Sequence, residues 1–199
     1  MSYLGTEDHG VRPPRSSSQV LRLVSCSDVA PVKRLELLVE ALREVSDTVQ
    51  VEWSHYGDGS DMDRVRTMAS TLPGHICTTF HGWTRNDEIL EAYRSGRHDV
   101  FINVSSSEGL PVSIMESSSC GLPTIATDVG GTGEIVSDGV NGRLISANPM
   151  PREIAAAVEE FARMDPDAFA RRSAAAREMW STHFDSDRNY RQFVAKMLS

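Results

Sequence analysis

The sequence predicts an α/β domain: a parallel sheet with helices on both faces, followed by a helical tail. Three observations lead there. Short apolar runs of strand length alternate with stretches whose apolar residues recur every three to four positions. Each strand-to-strand connection is long enough for a crossover helix. At 199 residues, 40% hydrophobic and 24% charged, the chain has the length and mix of one sizeable globular domain.

The elements follow in order. Residues 1–19 carry Pro13-Pro14 and Ser16-Ser17-Ser18 and read as a linker or tail without packed structure, with the domain running over residues 20–199. Val20 to Ser25 is a buried strand. Leu35, Leu38, Val39, Leu42 and Val45 then mark an amphipathic helix. Val49 to Tyr56 is a second strand closed by Gly57-Asp58-Gly59, with a helix over 61–71. Ile76 to His81 is a third strand with a helix over 85–96, and Val100 to Val104 is a fourth. Pro111 to Ser119 is a helix and Thr124 to Thr127 a fifth strand. From Pro149 the pattern is helical: Ile154, Val158 and Phe161 share a face, residues 168–180 continue, and Asn189 to Leu198 form a last helix.

Composition excludes several classes. Net charge is −8, so broad binding to nucleic-acid backbones is not expected. The three cysteines, Cys26, Cys77 and Cys120, are neither a disulfide framework nor a zinc pattern, and read as reduced and buried. The apolar runs are too short to cross a bilayer, and the first residues lack the basic and apolar regions of a signal peptide. The expected address is the cytoplasm. No histidine spacing fits a metal site, and no G-x-S-x-G elbow is present.

Ligands on such sheets bind beyond the carboxyl ends of the strands. The most informative segment there is Ser105-Ser106-Ser107-Glu108-Gly109-Leu110-Pro111-Val112-Ser113-Ile114-Met115-Glu116. Pro111 suits the first helical position, and Gly109 lets a ligand approach the backbone. The free amides of the helix start form an anion site. Glu108, in the loop, can accept hydrogen bonds from sugar hydroxyls beside a phosphate. Glu116, further along the helix, can accept from a ribose diol.

Glu108 and Glu116, with seven residues between them, resemble the E-x7-E motif of the retaining glycosyltransferases of family 4, which have the two-domain GT-B fold. Asn103 to Pro111 and Gly121 to Gly131 are also close to that family's pattern. The resemblance implies a Rossmann-like donor domain that binds a nucleoside diphosphate sugar, with UDP or GDP as the nucleotide. It implies that Glu108 meets the donor sugar and that the amides of Gly109, Leu110, Pro111-Val112 meet sugar and phosphate. Glu116 would hold the ribose. Lys33, after the first strand, would neutralise the diphosphate. Where many members carry an Arg, this chain has Asp28, and Arg34 is the candidate substitute; its other reading is a helix-surface cation. Gly57 and Asp58 would lie beside the nucleotide, or form a plain turn. Trp83 would cover the base, or pack in the ordinary way. Gly130 and Gly131 would wall the donor site, or form a turn into a short helix. No metal cofactor is expected.

The same resemblance places the acceptor on an N-terminal domain that this sequence lacks. It implies that the last helix exposes an apolar face toward that domain. It further implies bacterial polysaccharide or glycolipid assembly, with peripheral membrane association of the full enzyme. Three other classes are weighed: a module that has lost catalysis and binds a nucleotide or partner, a sugar-nucleotide epimerase, and a nicotinamide oxidoreductase. Against the last, Gly131-Thr132-Gly133 is followed by Val136 where a third glycine is required.

Overall fold

A computed structural model of the chain describes residues 5–15 and 19–198. The elements are β1 (Val20–Cys26), a 3-10 turn (Pro31–Lys33), α1 (Leu35–Arg43), β2 (Gln50–Tyr56), α2 (Met62–Ala69), β3 (Ile76–Gly82), α3 (Asn86–Arg94), β4 (Val100–Asn103), α4 (Val112–Ser119), β5 (Thr124–Thr127), α5 (Thr132–Ile135), β6 (Gly142–Ile145), α6 (Pro151–Ala162), α7 (Pro166–His183) and α8 (Ser186–Met197). All six strands run parallel, in the order β3-β2-β1-β4-β5-β6. The winding direction reverses between β1 and β4. Beyond such a switch point lies the crevice where doubly wound sheets bind ligands; here the loops leaving β1 and β4 are tied together by the Ser106 amide, which donates to the Val32 carbonyl at 2.8 Å.

Helices cover both faces, as the alternating pattern predicts. One core joins β1, β2 and β4 to α1, α2 and α6 through residues such as Leu21, Leu38, Leu42, Trp53, Val158 and Phe161. The other joins the opposite face to α3, α4 and α7 through Val24, Tyr93, Phe101, Ile114 and Trp180. Burying each large apolar side chain contributes about 1.5–3 kcal/mol. The helices of the tail are bounded by local chemistry. Asp165 caps α7 by accepting from the amides of Asp167 and Ala168, with Pro166 in the first turn. Asp185 caps α8 by accepting from the Arg188 amide.

Three segments of the chain differ in structure from the sequence reading. Gly142–Ile145 is a sixth strand pairing with β5, which the short Gly-Arg-Leu-Ile run does not announce. Pro111 is the N-cap of α4 with extended backbone, not its first helical residue. Residues 5–15, read as unpacked, form a strap on the domain. Thr6 exchanges backbone hydrogen bonds with Phe184 and Ser186, and its hydroxyl accepts from the Trp180 indole at 2.8 Å. Asp8 pairs with Arg177. Buried Arg12 reaches the carbonyl oxygens of His98 and Gly121 and lies 3.9 Å from Asp99, which is buried and bound at 2.7 Å by Arg22. The proline pair masks this: a strap held by polar contacts leaves no apolar period to read. The Ser16-Ser17-Ser18 run lies outside the described residues.

The cysteines are free, but only Cys120 is buried; Cys77 is exposed because its strand is a sheet edge. On α8, Tyr190, Phe193 and Met197 are exposed at 70%, 50% and 70%, giving the apolar face expected of the last helix. No helix among the described residues is long and apolar enough to cross a membrane.

Candidate donor site at the β1/β4 crevice

The crevice is built by the loops after β1 and β4. The β1 loop turns through Pro31–Lys33 into α1, which brings the Lys33 side chain across to the β4 loop. Its ammonium donates to Glu108 Oε1 at 2.8 Å, with the two side chains only 24% and 10% exposed. Asn103, the last residue of β4, donates from Nδ2 to the same oxygen at 3.0 Å. Asn103 Oδ1 in turn accepts from the Ser105 amide at 2.9 Å. Burial raises the affinity of Glu108 for a proton, but the hydrogen bonds from Lys33, Ser105 and Asn103 outweigh it and hold the carboxyl below its ordinary range. Glu108 is therefore ionised at neutral pH.

Gly130 and Gly131 press on the same loop. The Gly131 amide donates to the Gly109 carbonyl at 2.7 Å. Gly130 has φ +53, and a Cβ there would overlap the Glu108 carbonyl oxygen, so only glycine fits without displacing that loop. Gly109 is exposed, Leu110 packs partly into the core, and Pro111 is buried. Val112, at the first helical position, is exposed, and the amides of Val112 and Ser113 have no intrahelical acceptor, whereas those of Ile114 and Met115 donate to the Pro111 carbonyl.

Glu116 lies further along α4. Its Oε1 accepts from Asn86 Nδ2 at 2.9 Å, which ties α4 to the start of α3. Burial raises its pKa, opposed by that hydrogen bond. Beyond β2 and β3, Gly57 donates its amide to the Gly82 carbonyl at 2.8 Å, so the loops holding Asp58 and Trp83 are joined. Asp58 is exposed. Trp83 is 78% exposed, which rules out the packed reading and leaves its ring open to a partner.

Arg34 differs from both sequence readings. Its guanidinium donates to the carbonyls of Val104, Ser105 and Ala147 at 2.6, 2.7 and 3.0 Å. Its Nε and Nη2 are thus taken by backbone oxygens, while Nη1 donates to Asn148 Oδ1 at 3.5 Å. Asn103 and Asn86 were missed from sequence. Asn103 enters the sequence reading only as the first residue of a segment close to the family's pattern, and Asn86 carries no spacing signal at all. His81 stacks on Tyr56 at 4.2 Å, a structural contact. Among the described residues no group of three or more His, Cys, Asp or Glu is placed to hold a metal.

A paired lysine and glutamate thus lie at the switch point beside the start of α4. Residues 21–164 match the family model "Glycosyl transferases group 1", and the chain belongs to that family. It is similar to the sulfoquinovosyl transferase SQD2 of Arabidopsis thaliana, at 31% identity over 140 residues, covering 65% of this chain and 26% of the relative. It is also similar to the putative colanic acid biosynthesis glycosyltransferase WcaL of Salmonella typhimurium, at 26% identity, covering 92% of this chain and 46% of the relative. The chain thus spans between about a quarter and about half of the length of these relatives. Among solved structures, Anabaena Alr3699/HepE in complex with UDP-glucose superposes with a TM-score of 0.78 at 20% identity, over 98% of this chain and 56% of that one. The pneumococcal O-GlcNAc transferase GtfA, in complex with UDP and GlcNAc, gives 0.73 at 21% identity, over 94% and 37%. These two likenesses establish the shared fold.

Proposed function

We propose that the chain is the donor-binding half of a retaining glycosyltransferase of family 4, transferring a sugar from a UDP- or GDP-sugar to an acceptor hydroxyl. The observation that carries this is the 2.8 Å Lys33–Glu108 pair at the β1/β4 crevice. The complexes of HepE with UDP-glucose and of GtfA with UDP and GlcNAc make UDP the first nucleotide to test. The colanic acid assignment of WcaL supports a role in bacterial polysaccharide or glycolipid assembly.

In this reading the diphosphate lies against Lys33 and the open amides of α4. As the bond between the anomeric carbon and the phosphate oxygen breaks, negative charge grows on that oxygen. Lys33 and the helix start oppose it with fixed positive charge, at no cost of reorganisation. This supplies a metal-free route for the leaving group, which nucleotide binding retained in EDTA would support. Glu108, ionised and held by Asn103, accepts from donor-sugar hydroxyls. Glu116 accepts from the ribose diol, and Trp83 covers the base. The nucleophile is an acceptor hydroxyl delivered by an N-terminal partner domain. The exposed stripe on α8 fits a helix that meets that domain, so the chain alone is expected to bind nucleotide and to turn over negligibly.

A second reading, a module that binds nucleotide or partner without catalysis, is favoured by exposed Asp28, an acid in the β1 loop where the anion would lie. Calorimetric titration with UDP, GDP, ADP and NAD separates a donor site from the partner-binding form of this second reading. Saturable binding of UDP or GDP, weakened in Glu116→Ala, supports the donor site. NAD binding alone contradicts it, and no binding to any of the four favours the second reading.

A further inference from the structure

Arg34 is the one non-glycine residue at positive φ among the described residues, with φ 50. A backbone conformation that disfavours side chains is kept when something else over-determines it. What holds it here is the guanidinium, whose three carbonyl partners come from two strand ends: Val104 and Ser105 after β4, and Ala147 after β6. Arg34 forms no ion pair among the described residues; it is a cation spent on neutral oxygens. The Ser105 carbonyl it grips also accepts from the Thr127 hydroxyl of β5, at 2.6 Å.

These contacts close a ring. Arg34 donates to the Ser105 carbonyl. The Ser105 amide donates to Asn103 Oδ1. Asn103 Nδ2 donates to Glu108 Oε1, which also receives Lys33 Nζ. Lys33 and Arg34 are joined by a peptide bond. Each link fixes the next, and the left-handed turn at Arg34 lets adjacent residues point to different places: Lys33 to Glu108, Arg34 to the backbone beneath it.

We propose that Arg34 is a positioning residue for the Lys33–Glu108 pair, locking the β1 and β4 loops so that ammonium and carboxylate are set before the donor arrives. This rests on the donor-site reading only for its effect on ligand; the ring itself is independent of it. The role is geometric, because a lysine keeps the charge but cannot span three carbonyls with a planar fork.

The test compares the full chain with Arg34→Gly and Arg34→Lys. Three quantities are read: thermal unfolding, a carbon-13 NMR titration of the Glu108 carboxyl, and calorimetric titration with UDP. Glycine relieves the positive-φ strain, so Arg34→Gly is expected to unfold within a few degrees of the parent. Its Glu108 titration is expected to move up toward the ordinary carboxyl range, and its UDP affinity to fall roughly tenfold. Arg34→Lys is expected to move both in the same direction. Methylguanidinium added to Arg34→Gly is expected to restore them. A Glu108 titration unmoved in Arg34→Gly overturns the proposal. So does a shift in Arg34→Gly that Arg34→Lys abolishes, since that assigns the effect to charge alone. If Arg34→Gly fails to fold, the titration in Arg34→Lys decides. If the parent chain does not bind UDP, the donor-site reading fails, and the Glu108 titration still judges Arg34.

Discussion

Lys33 Nζ and Glu108 Oε1 lie 2.8 Å apart across 75 residues of sequence, joining the loops that leave β1 and β4. Both groups are largely out of water, so neither is well solvated without the other. Glu108→Ala is expected to cost about 1–3 kcal/mol of stability, from the ammonium left half-buried and the Asn103 amide left without its acceptor. In a urea-denaturation cycle with Lys33→Ala, the coupling should be about 1 kcal/mol or more. Additive single changes would mean the pair is not formed in solution.

Gly130 makes a close backbone approach to the Glu108 loop. With φ +53 and the Glu108 carbonyl in the place of a Cβ, Gly130→Ala must move the Glu108 loop. A loss of about 1–3 kcal/mol in chemical denaturation is expected, together with weaker nucleotide binding. Gly109→Ala, where a Cβ meets nothing within 4 Å, is the control and should leave stability nearly unchanged.

Two buried histidines set an acid limit on the fold. His55 bonds Ser25 Oγ through Nδ1 at 2.8 Å, and His98 lies 3.3 Å from the Tyr56 hydroxyl. Burial lowers both pKa values, to about 4. The unfolded chain, with ordinary histidines, binds more protons between about pH 6.5 and pH 4. Stability is therefore full above the unfolded pKa and falls as pH drops through that window. Each histidine accounts for about 3 kcal/mol if its shift is realised in full. Urea midpoints measured across this range should fall toward acid, with a shallower slope in His55→Gln. A flat profile in the parent would mean these rings are hydrated.

The strap makes a prediction opposite to that of a loose tail. Asp99 is buried under Arg12, Arg15 and Arg22, so Asp99→Asn leaves three guanidinium groups without their carboxylate. A loss of about 3–5 kcal/mol is expected. Deleting residues 1–15 should also lower the unfolding temperature, since it uncovers Trp180 and frees Arg177. A truncated chain as stable as the parent would return these residues to the status of a linker.

Trp83 separates binding from folding. At 78% exposure its replacement by Ala should leave stability within about 0.5 kcal/mol. If the base stacks on it, nucleotide affinity should drop several-fold, and nucleotide should quench the fluorescence of the parent but not of the variant.

What was legible in the sequence follows from what each feature is made of. β1 to β5 and α1 to α4 show because burial writes a period into apolar residues: Leu35, Leu38, Val39 and Leu42 all face the core. Glu108 and Glu116 show because their spacing, the glycine and the proline lie in one segment. β6 is four residues long, with Arg143 exposed, and has too little period to read. Polar partners found only by folding leave no local trace: Asn86 meets Glu116 across 30 residues, and Arg34 meets Ser105 across 71. Arg34 misleads in the other direction, because a cation beside an anion site reads as a ligand until its carbonyl partners are seen.

The measurement closest to the central claim is the affinity of the chain for UDP and for uridine, in the parent and in Lys33→Ala. If Lys33 holds the diphosphate at the β1/β4 crevice, Lys33→Ala should weaken UDP by about tenfold or more, the scale of a charge-assisted hydrogen bond, and leave uridine unchanged. Equal affinity of parent and variant for UDP would contradict the account, and place the diphosphate away from the Lys33–Glu108 pair.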